Sequence, residues 1–194
     1  NSMSPLSTGL QFMRPQCATS GMQKVHAIMS RQLAHIVRLV NDVFDVQHLE
    51  SHEMCLDRQR ISLRAVVDCA VTMCADSIAN AEHDLTIHMP EGSIDIDGDF
   101  VRLTQVVVNL LTNACKFTSP KGTIVLNLRT DERDHVVLSI SDNGRGIAPD
   151  ALHRIFGLYV QVDPQSKHAG LGIGLHLVQR LVEGHGGTVE AASA

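Results

Sequence analysis

Asn109, Asn113 and Lys116 follow one another at steps of four and three residues within QVVVNLLTNACKFT, Gln105 to Thr118. On a helix of about 3.6 residues per turn they share one face, with Gln105 and Thr112 beside them. Two carboxamide oxygens one turn apart can help complete the shell of a hard cation that keeps some of its waters, and an ammonium one turn further can meet a phosphate. The other positions, Val106, Val107, Val108, Leu110, Leu111, Ala114, Cys115 and Phe117, are apolar. A surface helix shows water a broad charged face. A strip this narrow lines a site or, as the plainer alternative, caps neighbouring loops from within a core.

Two other stretches carry chemistry. Asp142-Asn143-Gly144-Arg145-Gly146-Ile147 is by itself an ordinary turn sequence. It follows directly on a run that reads as a strand, however, with an acceptor carboxylate at its front and two glycines that let backbone approach a flat ligand. Gly170-Leu171-Gly172-Ile173-Gly174-Leu175 opens an amphipathic helix running to Glu183, and the backbone N–H groups of such a start suit phosphate. It is neither a Walker A loop, lacking the Lys-Ser/Thr pair, nor a dinucleotide fingerprint, lacking a strand directly before it. Between Gly157 and Ala169 the chain is polar and aperiodic, a length of connection that commonly serves as a lid.

The elements that position these stretches are legible as periodicities. Thr123 to Thr130 and His135 to Ser141 read as antiparallel strands around the turn Asp131 to Asp134. Arg60 to Leu63, Leu85 to Met89 and Ser93 to Asp97 read as shorter strands, and Thr188 to Ala192 as a last one. Ser62 is expected to cap a helix over 63 to 82 and Asp99 to cap the helix of Asn109 and Asn113, while Pro149 and Asp150 start a short helix through Phe156. Upstream, Pro5, Leu6, Leu10, Phe12 and Met13 suggest a helix, Ala18 to Gly21 its turn, and Gln23 to Leu49 a second helix. The apolar stripe of that second helix is too wide for two helices to bury, so a second copy completing a four-helix bundle is the natural solution. The charged stretch 51 to 59 reads as a linker.

Composition narrows the function classes. With 194 residues and 44% hydrophobic content the chain can bury a core, and with 3% aromatics, no Trp and a net charge of −5 it is ill suited to nucleic acid. No apolar run approaches the length of a membrane span, and nothing reads as a signal peptide. The five cysteines form no CxxC pair and the eleven histidines no zinc spacing, which points to reduced thiols in the cytoplasm and no zinc site.

In order, Asn109...Asn113..Lys116-Phe117, Asp142-x-Gly144-x-Gly146, Phe156 and Gly170-x-Gly172-x-Gly174 resemble the ATP-binding domain of the sensor histidine kinases of two-component systems. That domain belongs to the GHKL, or Bergerat-fold, group with the gyrase and heat-shock-chaperone ATPases. The resemblance covers about residues 60 to 194 and reaches upstream, where Arg31-Gln32-Leu33-x-His35-x-x-Arg38-Leu39-Val40-x-Asp42-x-x-Asp45 is similar to the second helix of the kinase dimerisation domain. It implies an α+β fold, a two-layer α/β sandwich whose mixed sheet carries three helices on one face. A helical hairpin over 1 to 50 and a linker over 51 to 59 precede it.

The resemblance also implies roles. Asn113, with Asn109, would hold the magnesium ion of Mg-ATP, and Lys116 would meet the phosphates. Asp142 would accept a hydrogen bond from the adenine amino group, with Gly144 and Gly146 shaping the pocket and Phe117, Ile147, Phe156, Leu171 and Leu175 at its border. Gly170, Gly172 and Gly174 would close a lid, with Lys167 or His168 as lid donors. In the hydrolysing relatives a glutamate that activates water matches Asn109; the amide cannot take a proton, which favours a kinase over a hydrolase. The alternatives are a GHKL-type serine kinase or ATPase and a dimerisation module without kinase activity. By the same resemblance the partners are a second copy, through residues 1 to 50, and a response-regulator receiver domain. The phospho-accepting histidine of the family would fall before Asn1, so none is expected in this chain. The last family strand would fall beyond Ala194. The expectation is a piece of a longer kinase, for which a membrane anchor stays open, that binds nucleotide without phosphorylating itself.

Overall fold

Ile124, Leu126 and Leu128 alternate with half-buried Val125 and Asn127 along strand β4 (Thr123–Thr130), and the first three are buried. That period of two gives the sheet one face for the core and one for water. β4 pairs in parallel with β2 (Asp84–His88) and antiparallel with β5 (Val136–Asp142), a mixed three-stranded sheet in the order β2-β4-β5. β1 (Gln59–Ser62) and β3 (Asp95–Gly98) form a separate antiparallel pair. The computed structural model describes residues 21–23, 25–26, 28–29 and 33, then 55–161 and 171–193.

Helix α1 (Leu63–Asn80) packs on helix α2 (Phe100–Phe117), which packs in turn on helix α4 (Gly174–Gly184); α3 (Pro149–Leu152) is a single turn. Leu63, Val66, Val67, Ala70 and Cys74 of α1 meet Val107, Leu111 and Ala114 of α2 over Ile124, Leu126 and Leu128 of β4. Each of the Val, Leu and Ile side chains among them contributes roughly 1.5–3 kcal/mol by leaving water. The core therefore lies between the helices and the sheet, and α2 is its central helix.

The two expected caps differ. Asp99 Oδ1 accepts from the N–H groups of Val101 and Arg102 at 3.0 and 3.1 Å, and its other oxygen accepts from Asp57 N–H at 3.1 Å. Ser62 holds the cap position of α1 without a side-chain hydrogen bond; the Leu63 N–H donates to Ile94 O at 2.9 Å, and the β1–β3 ladder fixes the helix entry. His185, just after α4, ties that helix to the start of α2. Its Nε2 accepts from Asp99 N–H at 3.0 Å and its Nδ1–H donates to Leu181 O at 2.7 Å, an arrangement that fixes the neutral tautomer. The Arg58 guanidinium donates to Gly184 O, so the end of the expected linker is anchored on these helices.

Two expectations at the C-terminal side are corrected. Thr188 to Ala192 is not a strand: the described ladder ends at β5 without pairing it, and the next residue, Ser193, accepts through its Oγ from Ile147 N–H at 2.8 Å. The helix expected from Pro149 through Phe156 stops at Leu152 and continues as turns.

In the first of the two compact units, Asn1–Ser51, the described residues are helical and include Gly21, placed in the turn by sequence. Met22, Val25, Ile28 and Met29 are exposed there. The expected first helix and most of the second lie outside the described residues. Among those described, no helix is long and apolar enough to cross a membrane.

The β4–β5 turn supplies a pH-dependent contact. Asp131 Oδ1 accepts from His135 N–H at 2.8 Å and Arg133 N–H at 2.9 Å. The His135 N–H, above all, holds this carboxyl below its usual value. Since the folded state lowers the pKa, the stabilisation is complete above the unfolded value and is lost as pH falls through the folded one. Asp131→Asn is therefore expected to melt slightly lower than the parent at neutral pH and level with it in strong acid. Thermal melts across that range check it.

Candidate nucleotide site

The C-terminal end of α2 and the loop after β5 are built against each other. Asp142, the last residue of β5, is in register with Ile124, and Asn143 closes the ladder end by accepting from Thr123 N–H at 2.8 Å. Asp142 Oδ1 accepts from Thr118 Oγ1 at 3.2 Å and from Gly144 N–H at 2.9 Å. A Cβ on Gly144 would lie 2.5 Å from Phe117 O, so only glycine lets the loop come this close to the helix. Arg145 N–H donates to the same carbonyl at 3.4 Å, and Gly146 takes the left-handed conformation, φ 69°. The Asp142 carboxylate is thus presented at the helix end while its residue stays exposed.

On α2, Asn109, Asn113 and Lys116 are half-buried. Asn109 Nδ2 is buried without a hydrogen-bond partner. Since the two ends of a carboxamide are assigned rather than observed, turning it over puts an unsatisfied oxygen there. Lys116 Nζ lies 4.6 Å from the centroid of the Phe117 ring, and the Arg145 guanidinium carbon lies 4.9 Å from it. Burial, and after it the charge of Arg145, pushes the Lys116 pKa down. Burial pushes the Cys115 thiol up, in keeping with a packing role.

The glycine-rich turn completes the surroundings. Gly172 has φ 71°, and a Cβ there would lie 2.6 Å from Val160 O, so the chain entering and leaving segment 162–170 comes together at this point. A Cβ on Gly174, the first residue of α4, would reach within 3.9 Å of the Asn109 carboxamide. Phe156 joins through its backbone, its carbonyl 3.0 Å from His176 Nδ1 on α4. Leu171 is exposed and Leu175 half-buried, as is Ile147. Lys167, His168 and Gly170 lie outside the described residues. Sequence reading passed over Thr118, Arg145 and His176. Thr118 carried the one available signal, a hydroxyl directly after the Lys-Phe pair.

Chemically, an acceptor carboxylate beside bare backbone suits the donor edge of a flat heterocycle, and the α2 face suits its anionic end. Among the described residues no group of Asp, Glu, His and Cys could cage a metal by itself. Asn109 and Asn113 fit a magnesium ion that keeps waters and shares phosphate oxygens, and the uncommitted Asn109 carboxamide agrees with that role.

Residues 98–194 match the family model described as histidine kinase-, DNA gyrase B-, and HSP90-like ATPase. The chain is 31% identical over 163 residues to the circadian input-output histidine kinase CikA of Synechococcus elongatus, covering 82% of this chain and 22% of that protein. It is 33% identical over 186 residues to the probable sensor histidine kinase TcrY of Mycobacterium tuberculosis, covering 93% of this chain and 37% of TcrY. It thus spans well under half the length of these relatives. The solved structure of full-length ShkA in complex with AMPPNP is alike in fold, with a TM-score of 0.70 over 94% of this chain and 40% of that one at 24% identity.

Proposed function

We propose, for a chain that belongs to the histidine kinase-, DNA gyrase B-, and HSP90-like ATPases and has their two-layer α/β sandwich, that it binds Mg-ATP as the catalytic part of a sensor histidine kinase. The γ-phosphoryl would pass to a histidine of a dimerisation helix and then to an aspartate of a response-regulator receiver domain. The observation that carries this reading is the docking of the Asp142 loop on α2. Thr118 and Gly144 aim the carboxylate at the end of the helix whose face holds Asn109, Asn113 and Lys116.

In this reading Asp142 accepts from the adenine amino group, and Phe117, Gly144, Gly146 and Ile147 bound the base. Lys116 meets the phosphates. Asn109 and Asn113 would hold magnesium, which when bound would neutralise phosphate charge. Gly170, Gly172 and Gly174 close over the nucleotide, with Lys167 or His168 from the lid. Phosphoryl transfer asks the protein mainly for positioning and charge neutralisation, so this set is sufficient. Asn109 has no proton-accepting side chain to activate water, which argues for transfer rather than hydrolysis.

Calorimetry with Mg-ADP tests the site. Asp142→Ala is expected to weaken binding about tenfold, the order of one charge-assisted hydrogen bond; equal affinities for parent and variant would remove the adenine assignment. The reading includes a cytoplasmic location and a homodimer through residues 1 to 50; the exposure of the apolar, helical residues Met22, Val25, Ile28 and Met29 supports the homodimer. A monomer in light scattering at micromolar concentration, with its helices folded, would overturn the dimer.

A further inference from the structure

Thr118 ends α2: its N–H donates to Ala114 O at 3.1 Å, and its backbone turns extended. The residue is buried. Its side chain is directed from behind, because Gly122 leaves bare the space that the Thr118 methyl fills, and a Cβ there would collide with Thr118 Cγ2. With the methyl so placed, the hydroxyl donates to Asp142 Oδ1 at 3.2 Å, the same oxygen that accepts from Gly144 N–H at 2.9 Å. A carboxylate oxygen offers about two lone-pair sites, so these two donors saturate Oδ1. Among the described residues none donates to Oδ2. Asp142 therefore offers a ligand one oxygen rather than two.

The two purines answer that offer differently. Adenine presents an amino donor next to a ring nitrogen that accepts. Guanine presents a ring N–H and an amino group side by side, a pair that both oxygens of one carboxylate would match, and it carries a carbonyl where adenine has its amino group. We propose that Thr118 is a specificity-determining residue of this site, which selects adenine over guanine by occupying Asp142 Oδ1. The inference rests on the nucleotide reading and extends it from the residue that meets the base to the base that is taken. Thr118 acts through Asp142: with one oxygen filled, a bound guanine keeps one donor unpaired, and an unmade hydrogen bond to a charged group weakens binding about tenfold or more.

The experiment is calorimetry of the parent, Thr118→Val, Thr118→Ala and Thr118→Ser with Mg-ADP and Mg-GDP, each variant first shown by thermal melting to be folded. The parent is expected to prefer Mg-ADP. Thr118→Val and Thr118→Ala both remove the hydroxyl while changing the packing in different ways, and Gly144 N–H still holds the carboxylate in place. Both are expected to reduce the preference for Mg-ADP about tenfold, chiefly by binding Mg-GDP more tightly, whereas Thr118→Ser keeps the hydroxyl and the preference. An unchanged preference in the Val and Ala variants overturns the proposal. So does a preference that falls only because Mg-ADP binds less well, or one that falls as far in Thr118→Ser, since either would give Thr118 a packing role alone. A parent that binds neither nucleotide would bring down the nucleotide reading and this inference with it, whereas a parent that binds both equally would bring down the inference alone.

Discussion

Gly144→Ala is expected to weaken nucleotide binding by about a hundredfold, more than the loss of Asp142 itself. The added Cβ would lie 2.5 Å from Phe117 O and 2.6 Å from Asp142 Oδ1. Neither atom can yield cheaply: the first is backbone of the last turn of α2, and the second is held by Thr118 Oγ1 and by Gly144 N–H. The loop must therefore move away from the helix, and overpacking of this kind costs about 1–3 kcal/mol. Since each ~1.4 kcal/mol is a factor of ten in affinity, the upper part of that range gives the expected loss. The displacement acts on several contacts together, because it shifts the Asp142 carboxylate, the Phe117 edge and the Arg145 backbone at once. Titration with Mg-ADP measures it, and an affinity within a factor of two of the parent would mean that the loop docks on α2 differently.

Gly146 provides a contrast by mechanism. There φ is 69°, so alanine meets backbone strain of about 1–2 kcal/mol. The first glycine is required by proximity and the second by conformation. Sequence alone could mark both as glycines of one motif, but the two requirements separate only once the loop is seen against the helix.

The same limit explains the rest of the sequence reading. β4 was legible to its end residues because Ile124, Leu126 and Leu128 alternate with positions that face water, and the Asp99 cap because its partners are its own next neighbours in the chain. Ser62 holds its cap position without a side-chain hydrogen bond, and the Leu63 N–H beside it goes to Ile94, a residue far along the chain that no local pattern points to. Thr188 to Ala192 carries a plausible strand pattern, but strand formation needs a ladder neighbour, which local pattern does not supply. Asp57, Arg58 and His185 were equally hidden, since their roles arise where the start of α2 and the end of α4 meet. The site was legible as three separate motifs. Their joint, Thr118 and Gly144 against Phe117, was not, because it depends on tertiary approach.

Leu111→Ala should be the most destabilising change in the described core, by about 3–5 kcal/mol. Leu111 is 0% exposed and belongs to the cluster in which α1, α2 and β4 meet, so little around it can collapse into the space it leaves. A domain's whole stability is about 5–15 kcal/mol, and the variant would keep only part of it. Because α2 carries the core on one face and Asn109, Asn113 and Lys116 on another, core loss and ligand binding become linked. Ligand that binds only the folded state restores about 2.7 kcal/mol at about a hundred times its dissociation constant. Mg-ADP should therefore recover most of the lost thermal stability in Leu111→Ala and much less in the double variant with Asp142→Ala at the same ligand concentration. Thermal melts of the single and double variants, with and without nucleotide, measure both quantities. Equal recovery in the two would place the ligand away from the Asp142 loop, and a loss under about 1 kcal/mol would contradict the tight packing of α2 against α1 and β4.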